Sequence, residues 1–382
     1  MHLYANVAAT AFMASELDDI DLNEQVQPVL SSTLGALVVT RSGQGYSNQV
    51  AGIDGLFRPV RALTIRAQLV YSATTDPDGL EWPDDAREGE RQRVSTGVGA
   101  RLNAQYESRR WVGGLDLRSL GRGFRADAGF EPQVDVRGGF LYGGRVFHQG
   151  AERWFSRVYL VGGVEFSEDS DGRLLARSAW TNLFARGRGQ TWLQMLINRA
   201  DERVGDSVLR LLNVRLGGGG RPTRWFEWET RAVVGDGIDY GSERPARSIR
   251  VSPTVTVRAG RHLHLGLNHQ VERLEGAGRR VLVTSVTQAR VVYNFTTRLF
   301  ARATLRLDDT CRDAAPGYLK EVSRSSSVLS QLLLSYKVSP QTVLFLGYGD
   351  ARDGLADGRL RFPTLPMSSR TIFLKLGYAW RP

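Results

Sequence analysis

Charged side chains at every second position are the main chemistry this chain offers. Arg66 stands between Ile65 and Ala67, and Glu227, Glu229 and Arg231 alternate with Trp228, Thr230 and Ala232. Arg290, Arg302 and Arg306 are flanked by Ala289, Val291, Ala301, Ala303, Leu305 and Leu307, and Lys375 by Leu374 and Leu376. Successive side chains of a strand point to opposite faces, so this spacing gathers guanidinium, ammonium and carboxylate groups on one face and apolar groups on the other. Arginines lining a water-filled space favour anions and carboxylated solutes. The competing role for the same residues is pairing with carboxylates across strands, which stiffens or plugs the interior.

Other reactive residue types form weaker patterns. His262-x-His264 puts two imidazoles on one strand face, with His269 on the opposite parity, and no cysteine or acidic third ligand stands nearby. These histidines read as polar residues near a turn. Asp19-x-Asp21-x-Asn23 resembles the start of a calcium loop, but Leu30 occupies the position of the last ligand and the sixth position is not glycine. Asp76-Pro-Asp-Gly79 with Asp84-Asp85, and Glu168-Asp-Ser-Asp-Gly172, are turn-forming first; binding of divalent cations that bridge lipopolysaccharide is their secondary reading. No Gly-x-Ser-x-Gly occurs, and Gly217-Gly-Gly-Gly220 lacks the Lys-Ser/Thr of a phosphate loop, so it reads as a flexible turn beside Pro222. No catalytic residue, metal ligand or cofactor site is assigned, and the chain reads as a non-enzyme more than as an enzyme.

The elements that hold these residues are short alternating strands. Leu63, Ile65, Ala67, Leu69 and Tyr71 oppose Thr64, Arg66 and Gln68; Leu263, Leu265 and Leu267 oppose His264 and Asn268; Ile372, Leu374, Leu376, Tyr378 and Trp380 oppose Thr371, Lys375 and Gly377. Each segment has about ten residues, the length a tilted membrane strand needs. Tyr71, Trp154, Trp228, Tyr293, Tyr336, Tyr378 and Trp380 fall near strand ends on the apolar side, where amphipathic rings suit the lipid headgroup level. Tight links are expected near Arg58-Pro59, Glu107-Ser108, Gly150-Ala151, Gly187-Arg188, Gly220-Arg221, Ala259-Gly260, Thr296-Thr297 and Ser339-Pro340. Longer polar stretches run over Thr75–Arg91, Gly121–Val134, Asp236–Arg247, Asp308–Ser323 and Asp350–Ser369. Short turns at one end and longer loops at the other are the pattern of outer-membrane barrels.

Composition agrees with that architecture. The 382 residues are 42% hydrophobic, and the longest apolar run, Leu34–Val39, is far too short to span a bilayer as a helix. The net charge is +10, carried by arginine almost alone, since Lys320, Lys337 and Lys375 are the only lysines. The arginines are dispersed singly through strands rather than clustered, which argues against nucleic acid. Cys311 is the sole cysteine, so no disulfide framework or multi-cysteine metal site exists. Residues 1–32 fit the strand pattern poorly and carry no secretory signal; they read as the edge of a truncated precursor, with the barrel domain spanning 33–382.

Several segments resemble a bacterial outer-membrane barrel family catalogued as domain of unknown function 5916, which commonly follows a family-9-type carbohydrate-binding module. The matching stretches are Leu34–Arg41 leading to Asn48–Arg58, then Ala128–Asp135, Tyr293–Arg302 and Phe373–Arg381. The resemblance implies an outer-membrane barrel and a link to saccharides, and it supplies no catalytic residues.

The expectation is therefore an all-β chain: an antiparallel transmembrane β-barrel of about 16–18 strands in the bacterial outer membrane. Its expected role is a passive pore or solute-docking barrel for a saccharide or anionic solute. Expected partners are outer-membrane lipid and lipopolysaccharide, and the barrel-assembly machinery acting through the C-terminal strand. The rival readings are an outer-membrane hydrolase with its site on the external loops, a closed structural barrel, and a soluble all-β protein such as a propeller, for which no fixed-period repeat is found.

Overall fold

A computed structural model describes residues 32–77, 94–129, 131–150, 153–276, 278–312, 323–355 and 365–379. Eighteen strands account for nearly all of them. They are β1 (Thr33–Gly43), β2 (Tyr46–Val60), β3 (Leu63–Thr75), β4 (Val94–Glu107), β5 (Trp111–Leu120), β6 (Val136–His148), β7 (Phe155–Glu168), β8 (Leu174–Gly187), β9 (Trp192–Val204), β10 (Ser207–Thr223), β11 (Phe226–Asp239), β12 (Arg244–Ala259), β13 (Leu263–Gly276), β14 (Arg279–Asn294), β15 (Leu299–Arg312), β16 (Ser323–Lys337), β17 (Thr342–Leu355) and β18 (Met367–Tyr378). All belong to one sheet. The fold class is the antiparallel transmembrane β-barrel, with the strand number at the upper end of the expected range.

Two compact units divide the chain, one ending at Val146 and taking in Val161–Ala179, the other made of Phe147–Leu160 and the residues from Trp180 onward. In the first, β1 to β5 pair antiparallel in chain order. In the second, β9 to β18 do the same. Each strand pairs with its chain neighbour because a short antiparallel link leaves no room for another strand between them.

Direct cross-strand partners lie on the same face, so the register sorts the sheet into two surfaces. In the second unit the line Glu229–Thr254–Asn268–Gln288–Arg306 is polar throughout. One residue along, the face carries Leu267, Ala289, Leu305, Leu346 and Leu374, and Ile372 and Leu374 are 72% and 70% exposed. Apolar side chains left this bare on strand after strand do not form the inside of a soluble core.

Three expectations about connections change. Asp236–Arg247 is not a long loop, because Asp236 pairs with Arg247 and Asp239 with Arg244, leaving only residues 240–243 between β11 and β12. Gly217–Gly220 is not a turn: it lies inside β10, paired with Arg231, Thr230, Glu229 and Trp228. Finally, β15 and β17 run on past Asp308 and Asp350 into stretches that read as loop. Apolar alternation stops there, but the backbone ladder continues between polar residues, as in Asp308–Ser327 and Thr310–Ser325. Backbone pairing does not require apolar side chains.

Candidate functional site

The charged residues singled out by spacing fall on the polar surface. In the second unit Glu227, Glu229, Arg231, Arg290, Arg302, Arg306 and Lys375 all share one face by register. In the first unit Arg66 stands opposite Leu56 and Asn103 and donates to Asn103 Oδ1 at 3.5 Å and Gln105 Oε1 at 3.2 Å. Many of the arginines have carboxylate neighbours: Arg231 lies 3.1 Å from Glu229, Arg258 2.9 Å from Glu227, and Arg306 2.9 Å from Asp308. Arg290 and Arg302, diagonal neighbours through the Arg290–Thr304 pair, form no ion pair among the described residues.

Three rings on the polar surface escaped the sequence reading. Tyr159 of β7, Phe184 of β8 and Trp192 of β9 form a strip, with centroids 6.0 Å apart at each step and the Phe184–Trp192 planes only 23° apart. The glycine run of β10 makes room for it. A β-carbon at Gly217 would stand 2.7 Å from the Trp192 ring, and one at Gly219 2.8 Å from its Nε1, so the indole packs against bare backbone. Guanidiniums edge the strip: Arg231 over Trp192 at 5.7 Å, Arg186 over Phe184 at 5.6 Å, and Arg157 donating to the Tyr159 hydroxyl at 3.1 Å. The available signal was Trp192 at the start of a strand that precedes a glycine run, a combination that makes sense only once β9 and β10 are paired.

The first unit treats its polar surface differently. The segment after β5, expected as an external loop, returns across β2, β3 and β4 over residues 121–129. Asn48 donates to Thr74 Oγ1 (2.7 Å) and to the Arg125 carbonyl (3.0 Å), while its own oxygen accepts from the Asp127 amide (3.1 Å). The Arg125 amide donates to Ser72 Oγ at 3.0 Å, and its guanidinium holds both Asp76 oxygens at 2.8 and 2.9 Å and Asp127 at 2.9 Å. Tyr46 donates to Asp127 at 2.6 Å, and Arg41 to the Asp127 carbonyl at 2.7 Å. Gly97 permits the close approach, since a β-carbon there would overlap the Phe124 backbone nitrogen. Burial pushes the Asp127 carboxyl up, but hydrogen bonds from Tyr46 and Arg125 and the charges of Arg125 and Arg41 outweigh it and hold the group below the usual carboxylate range.

The apolar surface carries Trp228, Tyr293, Tyr336 and Tyr378 near the short-turn ends of their strands, and Tyr71 opposite Val98 farther from such an end. Trp154 precedes β7 and meets Phe155 edge-on at 6.3 Å; Trp380 lies outside the described residues. His262 contacts the Asn294 carbonyl at 2.6 Å and His269 the Thr287 hydroxyl at 2.9 Å, and neither partner is a serine or a carboxylate. No cluster of three metal-ligating side chains occurs among the described residues. Glu168 and Asp171 are engaged by Arg137 and Arg122, and Asp76 by Arg125. Asp19, Asp21 and Asn23 lie outside the described residues, as do Asp84 and Asp85.

No protein-family model matches the chain, and no curated protein matches it in sequence. Solved structures similar to it are outer-membrane proteins. The trimer form of OmpT from Vibrio cholerae is 11% identical, with 92% of this chain and 98% of that chain covered and a TM-score of 0.32. The siderophore receptor PirA from Acinetobacter baumannii is 8% identical, over 93% of this chain and 74% of that one, with a TM-score of 0.45. OccK1 (OpdK) from Pseudomonas aeruginosa is 12% identical, covering 92% and 96%, with a TM-score of 0.40. The fold assignment rests on the strand ladder itself, and these likenesses assign no site residue.

Proposed function

We propose that this chain is an outer-membrane β-barrel through which anionic solutes pass passively, with the arginine-bearing polar surface as its lumen. The observation that carries the reading is the segregation of the two surfaces: leucine, isoleucine and valine stay exposed on one, and guanidiniums and carboxylates line the other. Only a lipid solvent makes such an apolar surface stable, and only water or polar solute suits the charged one. The 121–129 segment then narrows the lumen beside β2–β4. The resemblance to the domain of unknown function 5916 family belongs to the same proposal and brings with it a saccharide as the competing solute.

The test uses the full-length protein in isolated outer membranes, run on gels with and without heating. A heat-dependent mobility shift in that fraction supports the barrel; a soluble protein with unchanged mobility overturns it. In planar bilayers under a salt gradient, the reversal potential is expected on the anion-selective side and moves toward cation selectivity when Arg290 and Arg302 are both changed to Glu. Cation preference in the unaltered protein overturns the arginine lumen.

A further inference from the structure

We propose that the apolar surface of β15–β18 carries, at its loop end, a docking site for the phosphate of a lipid headgroup in the outer leaflet. The inference rests on the barrel reading and is independent of what the lumen passes. By register, three rows of that surface are apolar: Tyr336–Leu344–Leu376, Leu334–Leu346–Leu374 and Leu332–Tyr348–Ile372. The next row is Ser330–Asp350–Arg370, and Arg352 follows on β17. Arg352 Nε lies 2.8 Å from one Asp350 oxygen and Arg370 Nη2 3.1 Å from the other, while the Tyr348 hydroxyl donates to Asp350 at 3.4 Å. Asp309, on the same surface of β15, holds Arg324 at 2.8 Å and accepts from the Ser326 hydroxyl at 2.9 Å. Among the described residues, three guanidiniums therefore meet two carboxylates on this part of the surface. At the tight-turn end the same surface presents Leu299, Tyr336, Leu344, Leu376 and Tyr378, and no charged side chain among the described residues.

Height along the strands places the cluster at a membrane boundary. Thr342 and Asp350 are eight residues apart, about 26 Å along a strand and about 20 Å in height at a tilt of about 40°. The apolar band of such barrels is about 25 Å tall, so the Asp350 row falls at its far edge, where headgroup phosphates lie. There the Asp350 carboxylate, 7% exposed, clamps guanidiniums that are 35% and 50% exposed. Two cations on one carboxylate leave one positive charge in excess, beside hydrocarbon that cannot solvate it. Each guanidinium has five N–H donors and Asp350 only two oxygens, so donors outnumber acceptors. A phosphate takes such donors in parallel pairs. A zwitterionic headgroup brings its own cation and cancels the attraction. Excess cation at one end alone suits a bilayer whose leaflets differ in headgroup charge.

The test is native mass spectrometry of the folded full-length protein released from detergent micelles. It is titrated with dioleoyl phosphatidic acid and, separately, with dioleoyl phosphatidylcholine, which has the same acyl chains. Phosphatidic acid is expected to bind at least about tenfold more tightly. Arg352→Gln and Arg370→Gln should each reduce that preference about fivefold, the usual contribution of one arginine near an anionic headgroup. Arg302→Gln, on the opposite surface, should leave it unchanged. Inorganic phosphate at millimolar concentration should not displace the lipid. Equal binding of the two lipids, a preference untouched by both variants, or displacement by inorganic phosphate overturns the proposal. Heat-dependent gel mobility confirms that each variant folds, and the two-lipid comparison on the unaltered protein decides the matter if a variant does not. Phosphatidic acid preference without bilayer conductance would sink the pore and keep the site; anion conductance without that preference would do the reverse.

Discussion

The polar surfaces of β2–β4 and of β9–β11 start from the same strand periodicity and end as different objects. On β2–β4, Asn48, Ser72 and Thr74 are at most 1% exposed because residues 121–129 lie on them and take up their hydrogen bonds. On β9–β11, Trp192, Glu229 and Arg231 remain half-buried, with rings and guanidiniums on the surface and no covering segment among the described residues. A polar strand face becomes supporting wall when a connection folds back over it, and keeps its side chains accessible when none does. Glycine serves both outcomes: Gly97 admits a backbone, while Gly217 and Gly219 admit an indole.

The sharpest way to break this contrast is to remove the space. Gly97→Val drives a side chain into the Phe124 backbone and is expected to lift the 121–129 segment, at a cost of about 3 kcal/mol. Hydrogen exchange at the Arg125 and Asp127 amides should then accelerate on the order of a hundredfold. Gly266→Val, where a β-carbon meets no atom within 4 Å, should leave exchange in its own strand unchanged. If the two variants behave alike, the covered wall is not held by close approach.

Charge gives a smaller effect. Arg125→Ala strands the Asp76 and Asp127 carboxylates and should cost about 2 kcal/mol of local stability, roughly a thirtyfold rise in exchange at the Asp127 amide. Arg302→Ala, with no ion pair to lose among the described residues, is expected to change strand stability by less than about 0.5 kcal/mol. A thermal melt of the two variants side by side checks the difference.

The smallest effect is in pH. Asp127 is held below its ordinary range when the segment is docked, so docking gains stability above the free carboxylate value of about 4 and loses it as pH falls through the depressed value. Exchange at the Asp127 amide, corrected for intrinsic rates, should be flat from neutral to mildly acidic pH and rise only below that point. Asp127→Asn should flatten the profile there.

Much of this molecule was legible in its residues, because a strand repeats every two positions and the repeat is local. The Leu263–Asn268 and Thr371–Tyr378 segments announce their two faces without any partner, and the register keeps those faces intact. The class of fold and the sidedness of Glu227, Arg231, Arg290 and Lys375 follow from that period alone. Where the pattern lapsed, as over Asp236–Arg247 and Gly217–Gly220, the strand continued because backbone hydrogen bonds across the sheet do not depend on apolar side chains. The tertiary structure alone decided which polar face is covered and which carries the aromatic strip. The pairing of Asn48 with Arg125 and Asp127, like the seating of Trp192 on Gly217 and Gly219, joins residues whose spacing in the chain follows no repeat, so only the paired sheet brings them together.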